Sequence, residues 1–98
     1  MSNYFLAKLS ALNYRIAIHE GDANRRLASE AVNIYLLSPS EVPPQYQKSF
    51  SKLRKLIEEK MQKLSGTGLR PTKLSKMQNK TAAQFIKLLL TIEYSMTE

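Results

Sequence analysis

The sequence has no cysteine and no tryptophan, a single histidine, three glycines and four prolines in 98 residues. The missing cysteine removes disulfides, thiolate catalysis and cysteine-based zinc sites, and it fits a reducing compartment. One histidine, His19, cannot by itself build an ordinary transition-metal site. As a catalytic base it would need a carboxylate or nucleophile held against it, and its neighbour Glu20 points elsewhere on a helix. No paired carboxylates and no nucleophile–base pair appear, so the reading is non-enzymatic, with no metal and no cofactor. The densest apolar run, FIKLLLTI at 85–92, is far shorter than the ~20 residues of a membrane span. The opening MSNYFLAKLSALNYR lacks a basic leader and has Lys8 inside its apolar part, unlike a secretion signal. A soluble cytoplasmic protein with no membrane partner is expected. An apolar content of 43% is ordinary for a globular chain, and the length suits one domain over 1–98.

What is present is positive charge, and it is concentrated. Residues 48–87 carry eleven Lys/Arg against Glu58 and Glu59, which leaves +9. Residues 1–47 carry four of each sign, and 88–98 are −2. Such asymmetry speaks about partners rather than fold. An acidic protein, a nucleotide or a nucleic acid is the expected partner.

The few glycines and prolines punctuate a helical pattern. Phe5, Leu9, Leu12 and Ile16 recur at helical spacing, with Ser2 or Asn3 as a cap and Gly21 as a stop. Asp22 caps a second helix carrying Leu27, Ala28, Ala31, Ile34 and Tyr35, and Ser38-Pro39 ends it, because proline disfavours helical geometry in the residue before it. A third helix starts at Pro43-Pro44, where the absent N–H is harmless, and runs to about Ser65 before Gly66-Thr67-Gly68. Tyr46, Phe50, Leu53, Ile57, Met61 and Leu64 make one stripe of it. Pro71 can open a short helical turn with Leu74 and Met77 inward. Thr81-Ala82-Ala83-Gln84 has the form of a capping box for a fourth helix reaching about Met96. That helix is apolar almost all round, so it is central or it buries a face in another chain. The fold class expected is all-α: a small antiparallel bundle of about four helices with a short extra turn before the last. A homo-oligomer is expected from the last helix.

The candidate binding residues are those cations that local acids do not cancel. Lys55, Glu59 and Lys63 form an i,i+4 series and Arg54 faces Glu58. Arg26 is expected to pair with Glu30, and Arg25 with Asp22. Lys48 and Lys52 have no such neighbour. Arg70, Lys73, Lys76 and Lys80 form an acid-free run, and Lys87 follows one turn into the last helix. Forcing residues 72–92 into a helix-turn-helix leaves only Thr81, Gln84, Lys87 and Thr91 to read base edges, a poor fit to so apolar a helix. A DNA- or RNA-binding regulator is nevertheless the second reading, after an interaction module. Two stretches, EVPPQYQKSFSKLRKLIE at 41–58 and NKTAAQFIKLLLTI at 79–92, resemble patterns in small helical accessory proteins of phages and plasmids. The resemblance implies a mobile-element protein that inhibits or sequesters a host component, in an anti-defence role.

Overall fold

A computed structural model describes residues 4–61 and 77–97. Its regular elements are α1 (Tyr4–Ile18), α2 (Ala23–Ser29), α3 (Ala31–Leu36), a 3₁₀ turn (Pro39–Glu41), α4 (Pro44–Met61) and α5 (Asn79–Met96). The described residues form an all-α bundle. Its Cα radius of gyration of 12.8 Å matches the ~13 Å of a compact chain of this size.

The apolar stripes find each other as their spacing predicts. Phe5, Leu9, Leu12 and Ile16 of α1 are buried with Leu27, Ala28, Ala31 and Ile34, with Phe50, Leu53 and Ile57 of α4, and with Ala82, Leu89 and Ile92 of α5. Met77, expected to face inward, is buried as well. Leu64, Leu74 and the turn expected after Pro71 lie outside the described residues, apart from Met77 and Gln78, which are not helical.

Local chemistry explains the corners. Gly21 has φ of 117°, a left-handed conformation that side chains resist, and a Cβ there would stand 3.3 Å from Arg25 Cβ. Asp22 then caps α2 by accepting from the Arg25 backbone N–H at 3.0 Å. Ser38 and Val42, each before a proline, are extended.

Two expectations change here. The second helix is not continuous: it breaks at Glu30, where φ is −116° and ψ 14°. The break accompanies an inward carboxylate. Glu30 accepts from Arg15 Nε at 3.0 Å and Nη2 at 2.9 Å, and from Asn33 Nδ2 at 2.9 Å. Arg15 therefore takes the carboxylate expected to pair with Arg26, and Arg26 Nε donates to Gly21 O instead. The bond to Glu30 raises the pKa of the Arg15 guanidinium.

The second change is at α5, which begins at Asn79, two residues before the expected cap. Thr81 lies inside the helix, and Gln78 at the cap position makes no side-chain capping bond. Tertiary bonds set this start. Asn79 Oδ1 accepts from the Asn24 backbone N–H at 2.9 Å, and Asn24 Nδ2 donates to Met77 O at 2.6 Å. The N-termini of α2 and α5 are thereby tied at one end of the bundle.

Further along, Asn13 Nδ2 donates to Leu89 O at 3.1 Å and to Glu93 Oε1 at 2.8 Å, while Ser10 Oγ donates to Glu93 Oε2. Rising numbers on α1 meet falling numbers on α5, so the two helices run antiparallel. On the other flank, Arg54 does not reach for Glu58 as its spacing suggested. Its Nη2 and Nε donate to Tyr35 O at 3.0 and 3.2 Å, and its guanidinium lies 4.5 Å from the Tyr35 ring centroid. A planar cation that both stacks and donates in pairs favours this arrangement over an exposed i,i+4 pair.

Candidate partner-binding groove

The lysines without acidic neighbours are carried by α4 and α5. Lys48 and Lys52 are exposed on α4, and Lys80 and Lys87 are exposed on α5. Arg70, Lys73 and Lys76 lie outside the described residues.

Between α4 and α5 is an open hollow of about 440 Å³, lined by Ser49, Lys52 and Leu56 of α4 and by Thr81, Gln84, Phe85 and Leu88 of α5. Its walls follow from helical spacing. Ser49, Lys52 and Leu56 step by three and four along α4, beside the buried stripe of Phe50, Leu53 and Ile57. Thr81, Phe85 and Leu88 do the same on α5, next to buried Ala82 and Leu89. Leu56, Phe85 and Leu88 pack against the core while remaining partly accessible. The hollow thus has an apolar floor and polar edges, and Lys52 is the charge that lines it.

Lys80 and Lys87 do not line this hollow. With Gln84 and Thr91 they fall on the next face of α5, at spacings of four, three and four. Thr91 Oγ1 is engaged with its own helix, donating to Lys87 O at 2.8 Å. Lys87 instead edges a second open hollow, of about 450 Å³, with Leu90, Thr91, Glu93, Tyr94 and Thr97. The structure therefore brings Lys52 together with Thr81 and Gln84, and places Lys80 and Lys87 beside them around the helix rather than in one cluster.

Among the described residues the charge cancellation expected along α4 is not made; Lys63, the last member of that series, lies outside them. Among the described residues the ion pair within 4.0 Å is Arg15–Glu30; Lys55 and Glu59 are exposed and unpaired there, and Arg54 is committed to Tyr35. The basic edge of α4 is consequently wider than the i,i+4 reading allowed.

Sequence reasoning missed the floor. Phe85 and Leu88 read as core, and Thr81 and Gln84 as a cap. The signal was the excess of apolar residues around the last helix, which left one flank without an assigned neighbour. Other chemistry-bearing residues stand apart from this site. His19 is exposed beyond the end of α1, its backbone N–H bonded to Arg15 O. Among the described residues no three His, Asp or Glu side chains converge as metal ligands, and no helix is long and apolar enough to cross a membrane. No family model, curated protein or solved structure matches the chain.

Proposed function

We propose that the protein is a non-enzymatic helical interaction module that holds an acidic protein partner in the α4–α5 groove. The observation that carries this reading is the pairing of an apolar floor (Leu56, Phe85, Leu88) with an edge whose charged liner is Lys52. Lys48 stands one turn before Lys52, and Lys80 and Lys87 lie on the adjoining face. An amphipathic helix with acidic residues beside its apolar stripe satisfies both features. A phosphate backbone would use the lysines and leave the floor wet. Charge of one sign around such a groove also steers an oppositely charged partner, at a rate that falls with salt.

The biological role proposed is that of a mobile-element inhibitor or sequestration protein acting in the cytoplasm as a homo-oligomer. This rests on the resemblance of the 41–58 and 79–92 stretches and on the apolar excess of α5.

A second reading, a DNA- or RNA-binding regulator, is favoured by one observation: Lys80, Gln84 and Lys87 are exposed on a single face of α5. Fluorescence anisotropy separates the two, using an acidic amphipathic helical peptide and a duplex oligonucleotide as probes. The groove reading expects peptide binding that the double variant Lys52→Glu, Lys80→Glu weakens by at least about tenfold with an unchanged melting temperature. Duplex binding with a log–log salt slope near −0.9 per phosphate contacted, and no peptide binding, would transfer the assignment to nucleic acid. A 260/280 nm absorbance ratio on freshly purified protein is an early check, since five Tyr and no Trp make co-purified nucleic acid conspicuous.

A further inference from the structure

The side of the α1–α5 pair facing away from the core carries an apolar surface that the groove does not use. On α1, Ala7, Ala11, Tyr14 and Ile18 follow the four-three-four spacing of a helix seam, and all four are exposed. On α5, Leu90 and Tyr94 are exposed at the same four-residue step. Exposure is large for such side chains: Tyr94 71%, Tyr14 66%, Ile18 62% and Leu90 48%. The bonds of Asn13 to Leu89 O and of Ser10 to Glu93 fix the level at which the helices lie side by side. They set Tyr14 near Leu90, with Tyr94 toward the start of α1. By helical spacing Tyr14 and Leu90 flank the same side of this seam, while Ala11 also lines a hollow against Leu36 and Leu37 at the end of α3.

We infer that this outer face of α1 and α5 is a self-association interface for a second copy of the chain. The inference names the surface for the oligomer proposed above and is independent of the groove. Two arguments select the occupant.

The first is charge. Each copy carries +7, and lysines dominate the α4–α5 side. On the outer face the half-buried Glu93 carboxylate is held between Ser10 and Asn13 by neutral donors. Lys8 and Lys87 stand only at the edges. Two like-charged copies approach at least electrostatic cost across this face, whereas an acidic partner gains little here.

The second argument is area. An aromatic side chain can bury ~150–250 Å², so at these exposures the four large side chains offer on the order of 400 Å² per copy. That is a substantial part of the ~800 Å² per partner in a standard interface. Ala7 and Ala11, two turns before Tyr14 and Ile18 respectively, are small enough to let a helix approach closely, and the stems of Lys8 and Lys87 extend the contact. Weak and transient interfaces sit at this low end of the size range, so association is expected at micromolar concentration.

Sedimentation equilibrium over a micromolar concentration series tests this. The wild type should approach twice the chain mass. Tyr14→Lys with Tyr94→Lys should raise the dissociation constant at least about tenfold with unchanged helical circular dichroism, while Lys52→Glu with Lys80→Glu should leave it unmoved. A wild type that stays monomeric overturns both the oligomer and its surface. An oligomer indifferent to the tyrosine variant overturns the surface alone. Tyrosine nitration mapped by mass spectrometry on the wild type needs no variant. Tyr14 and Tyr94 should become protected as concentration rises, and nitration of both at an undiminished rate in the oligomer would refute the assignment.

Discussion

Helix α5 meets α1 and α4 in different ways. At the α1 seam buried leucines are reinforced by Asn13 and Ser10, whose bonds to Leu89 O and Glu93 set the pairing level of the two helices. At the α4 seam no side-chain hydrogen bond crosses among the described residues, and an open hollow floored by Leu56, Phe85 and Leu88 lies between the helices. Asn13 Oδ1 is buried without a partner among the described residues, so losing the two acceptors of Nδ2 as well would be costly, and this seam is held to one arrangement. A seam of half-accessible apolar side chains tolerates, and gains from, an additional apolar surface. The closed seam therefore defines the fold, and the open one is where the proposed partner would sit.

Adjacent leucines give the sharpest break of that contrast. Leu89 is fully buried at the closed seam, and Leu89→Ala should cost about 3 kcal/mol in urea unfolding. Leu88 borders the open seam, and Leu88→Ala should cost about 1 kcal/mol, its area being only partly removed from water. Anisotropy with the acidic peptide should show the reverse ranking, with Leu88→Ala the more damaging relative to its stability loss. Equal destabilisation by the two variants would erase the distinction between the seams.

The clasp between α1 and the break at Glu30 ranks next. Glu30 is nearly buried and Arg15 half exposed, their side chains 6% and 47% accessible. Removing the cation takes two charged donations from a nearly buried carboxylate that keeps the bond from Asn33, so Arg15→Ala should cost about 2 kcal/mol, below the ~3–5 of a fully buried pair. Glu30→Ala lets Arg15 turn to water and should cost about 1 kcal/mol. The sign of the arginine shift fixes the pH behaviour. Its folded-state pKa is raised, so that contribution is fully present below the ordinary arginine value and is lost only as pH rises past it. Urea midpoints measured across the neutral range should therefore show no transition from the arginine. An equal loss in both variants would contradict the asymmetry.

The smallest effects concern helix starts. Asp22→Ala should cost about 1 kcal/mol by losing a real cap. Thr81→Ala should cost less than about 0.5 kcal/mol, because Thr81 edges the groove rather than capping α5. A thermal melt in which Thr81→Ala is the worse of the two would restore the capping-box reading.

Much of this was legible in residue spacing. The stripe of α1, the described part of the α4 stripe (Tyr46, Phe50, Leu53 and Ile57), the Asp22 cap, the Gly21 corner and the start of α4 at Pro44 all follow from interactions within a few residues, and these form as read. What failed did so wherever a side chain had a distant alternative. Arg54 left Glu58 for Tyr35, Glu30 turned to Arg15, and Asn79 moved the start of α5 by bonding to Asn24. In each case a part-buried bond between elements prevails, and for the two arginines the alternative was an exposed neighbour worth only a few tenths of a kcal/mol. The lysines of the candidate site were identifiable from charge alone, but the groove was not, because its floor looks like core in one dimension.

The sequence by itself determined that this chain makes amphipathic helices, where α2 and α4 begin, and that its positive charge lies in one half. Only the tertiary structure decided that α5 has three different sides: one sealed to α1 and α2, one open toward α4 with lysine at its edge, and one aromatic and exposed. Helical periodicity sorts residues by angle around one axis. Which angles are covered depends on neighbours that are distant along the chain.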